Sequence, residues 1–172
     1  MTYFVTKNYG PENGFSATFR QWRADSHCRF IHGYALGVEV TIGCEEQWLD
    51  KNGWVFNFGG LKELKAWLAE TFDHKTLVAL DDPALPLFRE MALTRTLRRE
   101  EDSDELDIGA LIQMVEVERT GCEAFAKMVW QKASLLLKQA ILQEGRVFNF
   151  LQVKVYEHSG NSATYGGSFV IA

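Results

Sequence analysis

What the chain lacks narrows its function before any motif is read. Cysteine is scarce: Cys28, Cys44 and Cys122 are odd in number and far apart, which fits a reducing compartment such as the cytoplasm better than a disulfide framework. Excess positive charge is missing too. A net charge of −5 argues against a surface built to displace counterions from nucleic acid, and leaves open a local basic pocket for a phosphorylated small molecule. The opening residues have none of the regions of a signal peptide, and no apolar run is long enough to span a bilayer. No nucleic-acid or membrane partner is expected. Hydrophobic residues at 47% and charged residues at 24% indicate neither disorder nor a fibrous repeat. The 172 residues suffice for a single domain with a real core, so function must reside in a site.

The densest group of reactive side chains is Cys28-Arg29-Phe30-Ile31-His32-Gly33-Tyr34. A thiol, an imidazole and a glycine hinge crowd together just before a strand. Such a group can converge as a nucleophile and its base or as metal ligands; alternatively Cys28 is a buried structural thiol and His32 a satisfied histidine. From Tyr34 to Cys44 the pattern alternates, with Leu36, Val38, Val40 and Ile42 on one face, as in a half-buried strand. If the extended backbone starts at His32, both His32 and Tyr34 continue that apolar face.

Phe4 to Tyr9 and Phe15 to Phe19 read as extended pieces around the turn cluster Gly10-Pro11-Glu12-Asn13-Gly14, with Phe15, Ala17 and Phe19 on one face. Arg20 and Arg23 bracket Trp22, as a solvated loop or a phosphate clamp. Trp54 to Phe58 is expected to be a second strand, forming a hairpin with the first. Asn57 or Gly59 can cap a helix carrying Leu61, Leu64, Leu68 and Phe72. At its end His74 is either a cation favoured by the helix dipole or an imidazole oriented by carboxylates. Asp81-Asp82-Pro83 signals a helix running to Leu97, followed by a solvated charged loop over Arg98 to Asp107 and a short strand within Leu111 to Val117. Cys122 to Gln143 is a long helix with Cys122, Phe125, Ala126, Val129, Ala133, Leu136, Leu137 and Ala140 in one stripe, stopped by Gly145. Val147 to Glu157 is a strand whose face holds Val147, Leu151, Val153, Val155 and Glu157; Glu157 is a site carboxylate unless the strand has already reached solvent. Asn161 to Ile171 closes the chain as a last strand. The order predicts an α+β fold with an antiparallel sheet.

These residues, in this order, resemble the 6-pyruvoyl tetrahydropterin synthase and 6-carboxytetrahydropterin synthase family. The matches are Phe15-Ser16-Ala17, Cys28 with His32-Gly33, Gly53-Trp54-Val55-Phe56-Asn57-Phe58 with Leu61-Lys62, Phe72-Asp73-His74-Lys75, Glu123, and Val155-Tyr156-Glu157. The resemblance implies a tunnelling fold, an antiparallel sheet carrying two helices on one face, here with a helical insertion over about residues 81–118 in a single domain. It also implies a homo-oligomer, a hexamer, with sites between subunits, and a pterin substrate, 7,8-dihydroneopterin triphosphate. By position, Cys28 with the pair Asp73 and His74 would move protons, and Glu157 would anchor the pterin, with Arg20 and Glu123 as further substrate-binding candidates. The family's zinc ligands are three histidines. Here Phe19 and Tyr34 occupy two of the positions and His32 alone remains, which leaves three readings: a metal held differently, by His32 with His27, Cys28 or His158; a metal-free enzyme using Cys28, His74 and Tyr34; or a non-catalytic pterin or purine binder. The retained Cys28, Asp73, His74 and Glu157 favour an enzyme.

Overall fold

The computed structural model describes residues 1–9, 14–99 and 106–168. Its strands are β1 (Thr2–Tyr9), β2 (Phe15–Phe19), β3 (His32–Glu45), β4 (Lys75–Ala79), β5 (Arg95–Arg99), β6 (Leu106–Ala110), β7 (Met114–Val117), β8 (Phe150–His158) and β9 (Asn161–Ser168). Its α-helices are α1 (Lys62–Phe72), α2 (Leu85–Leu93) and α3 (Cys122–Glu144). The expected turn at 10–13 and the end of the last strand at 169–171 lie outside the described residues.

Among the described residues the main sheet has seven strands in the order β7-β4-β2-β3-β8-β9, with β1 also on β3. β3 is long enough to pair with β2 over His32 to Leu36 and with β1 over Val38 to Glu45, while β8 takes its other edge. These pairings are antiparallel, whereas β2–β4 and β4–β7 are parallel. One sheet face is apolar. Leu36, Val38, Val40 and Ile42 meet Leu151, Val153 and Val155 of β8 in a core covered by α1 and α3. Residues of α1 at helical spacing, Leu64, Leu68 and Phe72, and the expected stripe of α3 from Cys122 to Leu137 are buried there. Gly145 ends α3 in the left-handed conformation, φ 66°, its N–H bonded to Ile141 O, as a C-terminal glycine should. None of the described helices is long and apolar enough to cross a membrane.

Successive residues of β4 point to opposite faces. Leu77 therefore joins the main core, while Val78 packs with Leu85 and Phe88 of α2 in a second cluster on the other side. The segment after Asp81 thus forms α2, the antiparallel β5–β6 hairpin and β7, the last a member of the main sheet.

Five local expectations are corrected. Trp54 to Phe58 forms no strand, because its backbone is already engaged: Arg146 donates to the carbonyls of Trp48, Trp54 and Val55, and Asp50 Oδ1 accepts from the Trp54 N–H at 2.9 Å. The second helix stops at Leu93 rather than Leu97, where the chain enters β5, and the two ends of the charged stretch expected as a loop lie in β5 and β6; residues 100–105 are not described. Val147 precedes β8 and is exposed, its place in the core taken by Phe148. Arg20 is neither solvated nor free to clamp a phosphate. Its Nε and Nη2 donate to Asp82 Oδ2 and Oδ1 at 2.8 and 2.5 Å, and the Asp82 side chain is 2% exposed.

Burial of Asp82 disfavours its charge, but the Arg20 hydrogen bonds, the Ala84 N–H and the Arg20 charge outweigh that and hold its pKa below the ordinary carboxylate value. A depressed folded pKa contributes stability that is fully present above the unfolded value of about 4 and is lost as pH falls through the folded one. Asp82→Ala is expected to cost roughly 2–4 kcal/mol at neutral pH, since it leaves a half-buried guanidinium unpaired. Urea denaturation of parent and variant should show the difference constant above about pH 5 and shrinking below about pH 4.

Candidate functional site

The site is built where β2, β3 and β8 end beside the start of α3. Cys28 sits in a single 3-10 turn, His27–Arg29, whose N-cap Ser26 accepts from the Cys28 N–H at 3.3 Å. The Cys28 carbonyl accepts from the Gln21 N–H at 2.9 Å. Both backbone groups are thereby fixed, and the thiol side chain is half-buried. His32 and Tyr34 follow on the core-facing side of β3, as the period of two requires. Tyr34 stacks on Phe19 of β2 with ring centroids 4.0 Å apart and planes 9° from parallel, and His32 lies 4.5 Å from Tyr34.

Glu157 occupies the same face at the end of β8, beyond Val155 and half-buried. It comes close to Tyr34 and to Cys122, the first residue of α3. Burial, then the charges of Glu157 and Glu123, push the Cys122 thiol up to about 12. The Tyr34 phenol is raised as well, by burial first and then by Glu157 and Cys28. Its hydroxyl is buried, and although its geometry falls short of a well-formed hydrogen bond, the Glu157 carboxylate is close enough to act as an acceptor. Two thiols, a phenol and two carboxylates therefore share one end of the core. Cys122 was legible in the sequence only as part of a core stripe; its place beside Gly121 and Glu123 at the very start of the helix was the available signal.

Asp73 and His74 are elsewhere. Asp73 caps α1, its Oδ1 accepting from the Ser16 N–H at 3.1 Å and lying 3.1 Å from His74 Nδ1. His74 has φ 56°, a left-handed conformation unusual for a side-chain-bearing residue, held by its N–H on Ser16 O at 2.6 Å. Its Nδ1 thus faces Asp73 on a side chain 79% exposed. Strand register separates this pair from Cys28: His74 lies at the level of Ser16, and Cys28 at that of Gln21. Three residues of strand, on the order of 10 Å, separate Ser16 from the end of β2 at Phe19, and the Cys28 turn lies beyond that end. One chain does not bring the proposed proton-moving groups together.

The expected metal positions do not fit zinc. Phe19 is 1% exposed and packs edge-on against Phe125 as well as on Tyr34. His32 has Nδ1 2.8 Å from Phe30 O. The alternatives fare no better: His158 Nδ1 accepts from the Gly160 N–H, and among the described residues no three His, Cys, Asp or Glu side chains gather as a metal site would require. Beside the Cys28 turn, a groove of about 320 Å³ is lined by Gln21, Trp22, Arg23, Asp81, Arg119 and Thr120. Arg23 pairs with Asp81 at 2.9 Å there.

Asp73→Ala should remove Oδ1, the oxygen that accepts from the Ser16 N–H and lies 3.1 Å from His74 Nδ1. The expected result is a shift of His74 from the Nδ1–H toward the Nε2–H tautomer, read from imidazole nitrogen chemical shifts, with a stability loss of about 1 kcal/mol. Unchanged nitrogen shifts would show that Asp73 does not orient the ring.

Residues 11–168 match the 6-pyruvoyl tetrahydropterin synthase family. The chain is 36% identical over 69 residues to the 6-carboxy-5,6,7,8-tetrahydropterin synthase of Rickettsia conorii, covering 40% of this chain and 49% of that protein. To the protein of the same name from Aquifex aeolicus it is 28% identical over 79 residues, covering 46% and 48%. The chain spans about half the length of these relatives. Among solved structures, Plasmodium vivax 6-pyruvoyl tetrahydropterin synthase superposes with a TM-score of 0.67 at 12% identity, over 98% of this chain and 99% of that one. An uncharacterised protein of Wolinella succinogenes gives 0.68 at 21%, over 96% and 98%. These likenesses carry the fold.

Proposed function

The chain belongs to the 6-pyruvoyl tetrahydropterin synthase family, and from that premise we propose that it is a pterin-converting lyase acting on 7,8-dihydroneopterin triphosphate or a close relative. The 6-carboxy product, as made on the way to 7-deazapurines such as queuosine, is favoured over the 6-pyruvoyl product by the names of the relatives matched in sequence. The observation that carries the reading is the convergence of Cys28, Tyr34, Cys122 and Glu157 at one end of the core. A carboxylate there can accept two parallel hydrogen bonds from neighbouring N–H groups of an aminopyrimidinone ring, which orients the ring and rejects analogues lacking them. Cys28 is the sulfur placed to take and return a proton on the pterin side chain.

His74, with its tautomer set by Asp73, is the complementary acid and base, and its distance from Cys28 implies that neighbouring subunits supply the two halves of each site. The sheet supports such an assembly: among the described residues β7 and β9 end it and β1 is paired only with β3, which leaves edges for closure into a ring. That no fitting zinc set is found among the described residues favours a second reading, a non-catalytic pterin binder, and the variants below separate the two.

Cys28→Ala is expected to abolish turnover of dihydroneopterin triphosphate while leaving its affinity nearly unchanged. Glu157→Gln should weaken binding by roughly 1.5–3 kcal/mol, through loss of a charged acceptor of paired N–H donors. Full activity in Cys28→Ala would make the thiol structural, and a parent that binds the pterin without turnover would leave the binder. Oligomers assembled from Cys28→Ala and His74→Ala chains together should regain part of the activity that each variant lacks alone. Mixed oligomers that stay inactive, from variants that fold and assemble, would place both residues in the site of one chain.

A further inference from the structure

Resting on the pterin reading above, the exchange of two metal positions for aromatic rings has a consequence of its own. A catalytic zinc takes about three protein ligands and keeps one position open. Here the first position is hydrocarbon: Phe19 lies flat against Tyr34 at 4.0 Å and edge-on to Phe125 at 5.0 Å. The second is an imidazole with Nδ1 on the Phe30 carbonyl. The third is a phenol, whose oxygen is a neutral hydroxyl and a hydrogen-bond donor.

That hydroxyl is the unusual feature. It is buried and its geometry falls short of a well-formed hydrogen bond, with the Glu157 carboxylate close enough to act as an acceptor and Cys28 nearby. A buried hydroxyl so poorly paired is costly, so its persistence needs a reason, and completion by a ligand is one. The ring that carries it is held by Phe19 on one side and His32 beside it, so the donor is pre-positioned rather than free to swing.

We infer that Tyr34 takes the place of the family's metal: the Phe19–Tyr34–His32 stack closes the metal position, and Tyr34 Oη donates a hydrogen bond to an oxygen or nitrogen acceptor of the pterin seated on Glu157. The phenol orients that acceptor without supplying Lewis acidity, and the site holds its ligand with no metal.

The test uses the full chain expressed with ample zinc. Mass-spectrometric metal analysis after mild chelation is expected to find far less than one zinc per chain. Calorimetric titration with 7,8-dihydroneopterin should show Tyr34→Phe, which preserves the ring stack, binding about tenfold more weakly than the parent, with a melting temperature equal or higher because the poorly paired hydroxyl is gone. A second variant, Phe19→His with Tyr34→His, rebuilds three imidazoles with His32 and should acquire the visible absorption of bound Co²⁺ that the parent lacks; should it not fold, the first two measurements still decide. Stoichiometric, chelation-resistant zinc in the parent overturns the replacement and leaves the pterin reading standing. Parent-like affinity in Tyr34→Phe overturns the role of the hydroxyl. A metal-free parent with no affinity for dihydroneopterin overturns the pterin reading, and the hydroxyl's ligand with it.

Discussion

The side-chain period of β3 ties the site to the core. Because alternate residues of a strand face the same way, burying Leu36, Val38, Val40 and Ile42 beneath α1 and α3 commits His32 and Tyr34 to the same face at the strand's start. A shift of one residue in register would expose the whole apolar set and carry both site side chains to the opposite face. β3 also pairs with β1, β2 and β8, so its register fixes where Phe19 and Glu157 stand. Stability and site geometry are therefore one constraint.

That coupling explains what was legible in the sequence. Period-two and helical patterns are local and strong, and β3, β8, the stripe of α3 and its glycine stop read directly from them. So did the shared face of His32, Tyr34 and the core residues, and Glu157 at the end of another apolar face. The failures came where a distant side chain overrides local preference. Trp54 to Phe58 has strand-like residues, yet Arg146, about ninety positions away in the chain, claims their carbonyls. Lys75 to Ala79 was passed over as a strand because β4 is short and its two faces enter different cores. The partner of Arg20 was equally hidden, since a buried Asp82 that begins a helical segment carries no signal of the cation it will meet.

The separation of Asp73–His74 from Cys28 follows from the same sheet. β4 lies parallel to β2 with Lys75 opposite Ala17, so the residue that ends the α1 crossover must sit near the start of β2, whereas the Cys28 turn lies beyond its end. The register therefore sets them apart within one chain. His74 nevertheless keeps a left-handed backbone and an oriented imidazole on an open surface. Strain of that kind, of order 1–3 kcal/mol, persists where the surroundings over-determine it and is concentrated at functional positions.

Charge at the start of α3 gives the proposed ligand a direction. Gly121, with φ 115°, begins the helix without a side-chain cap, and Glu123 stands in its first turn, where a carboxylate suits the positive end of the dipole. Together with Glu157 it makes this end of the core acidic, which is one reason the Cys122 proton is held so tightly, and at neutral pH Cys122 is a thiol. An acidic pocket end attracts N–H donors and repels phosphate. On the proposed pterin reading, that acidity favours the N–H-bearing ring over the phosphates beside Glu157, while Arg119 and Arg23, the latter paired with Asp81, line the neighbouring groove.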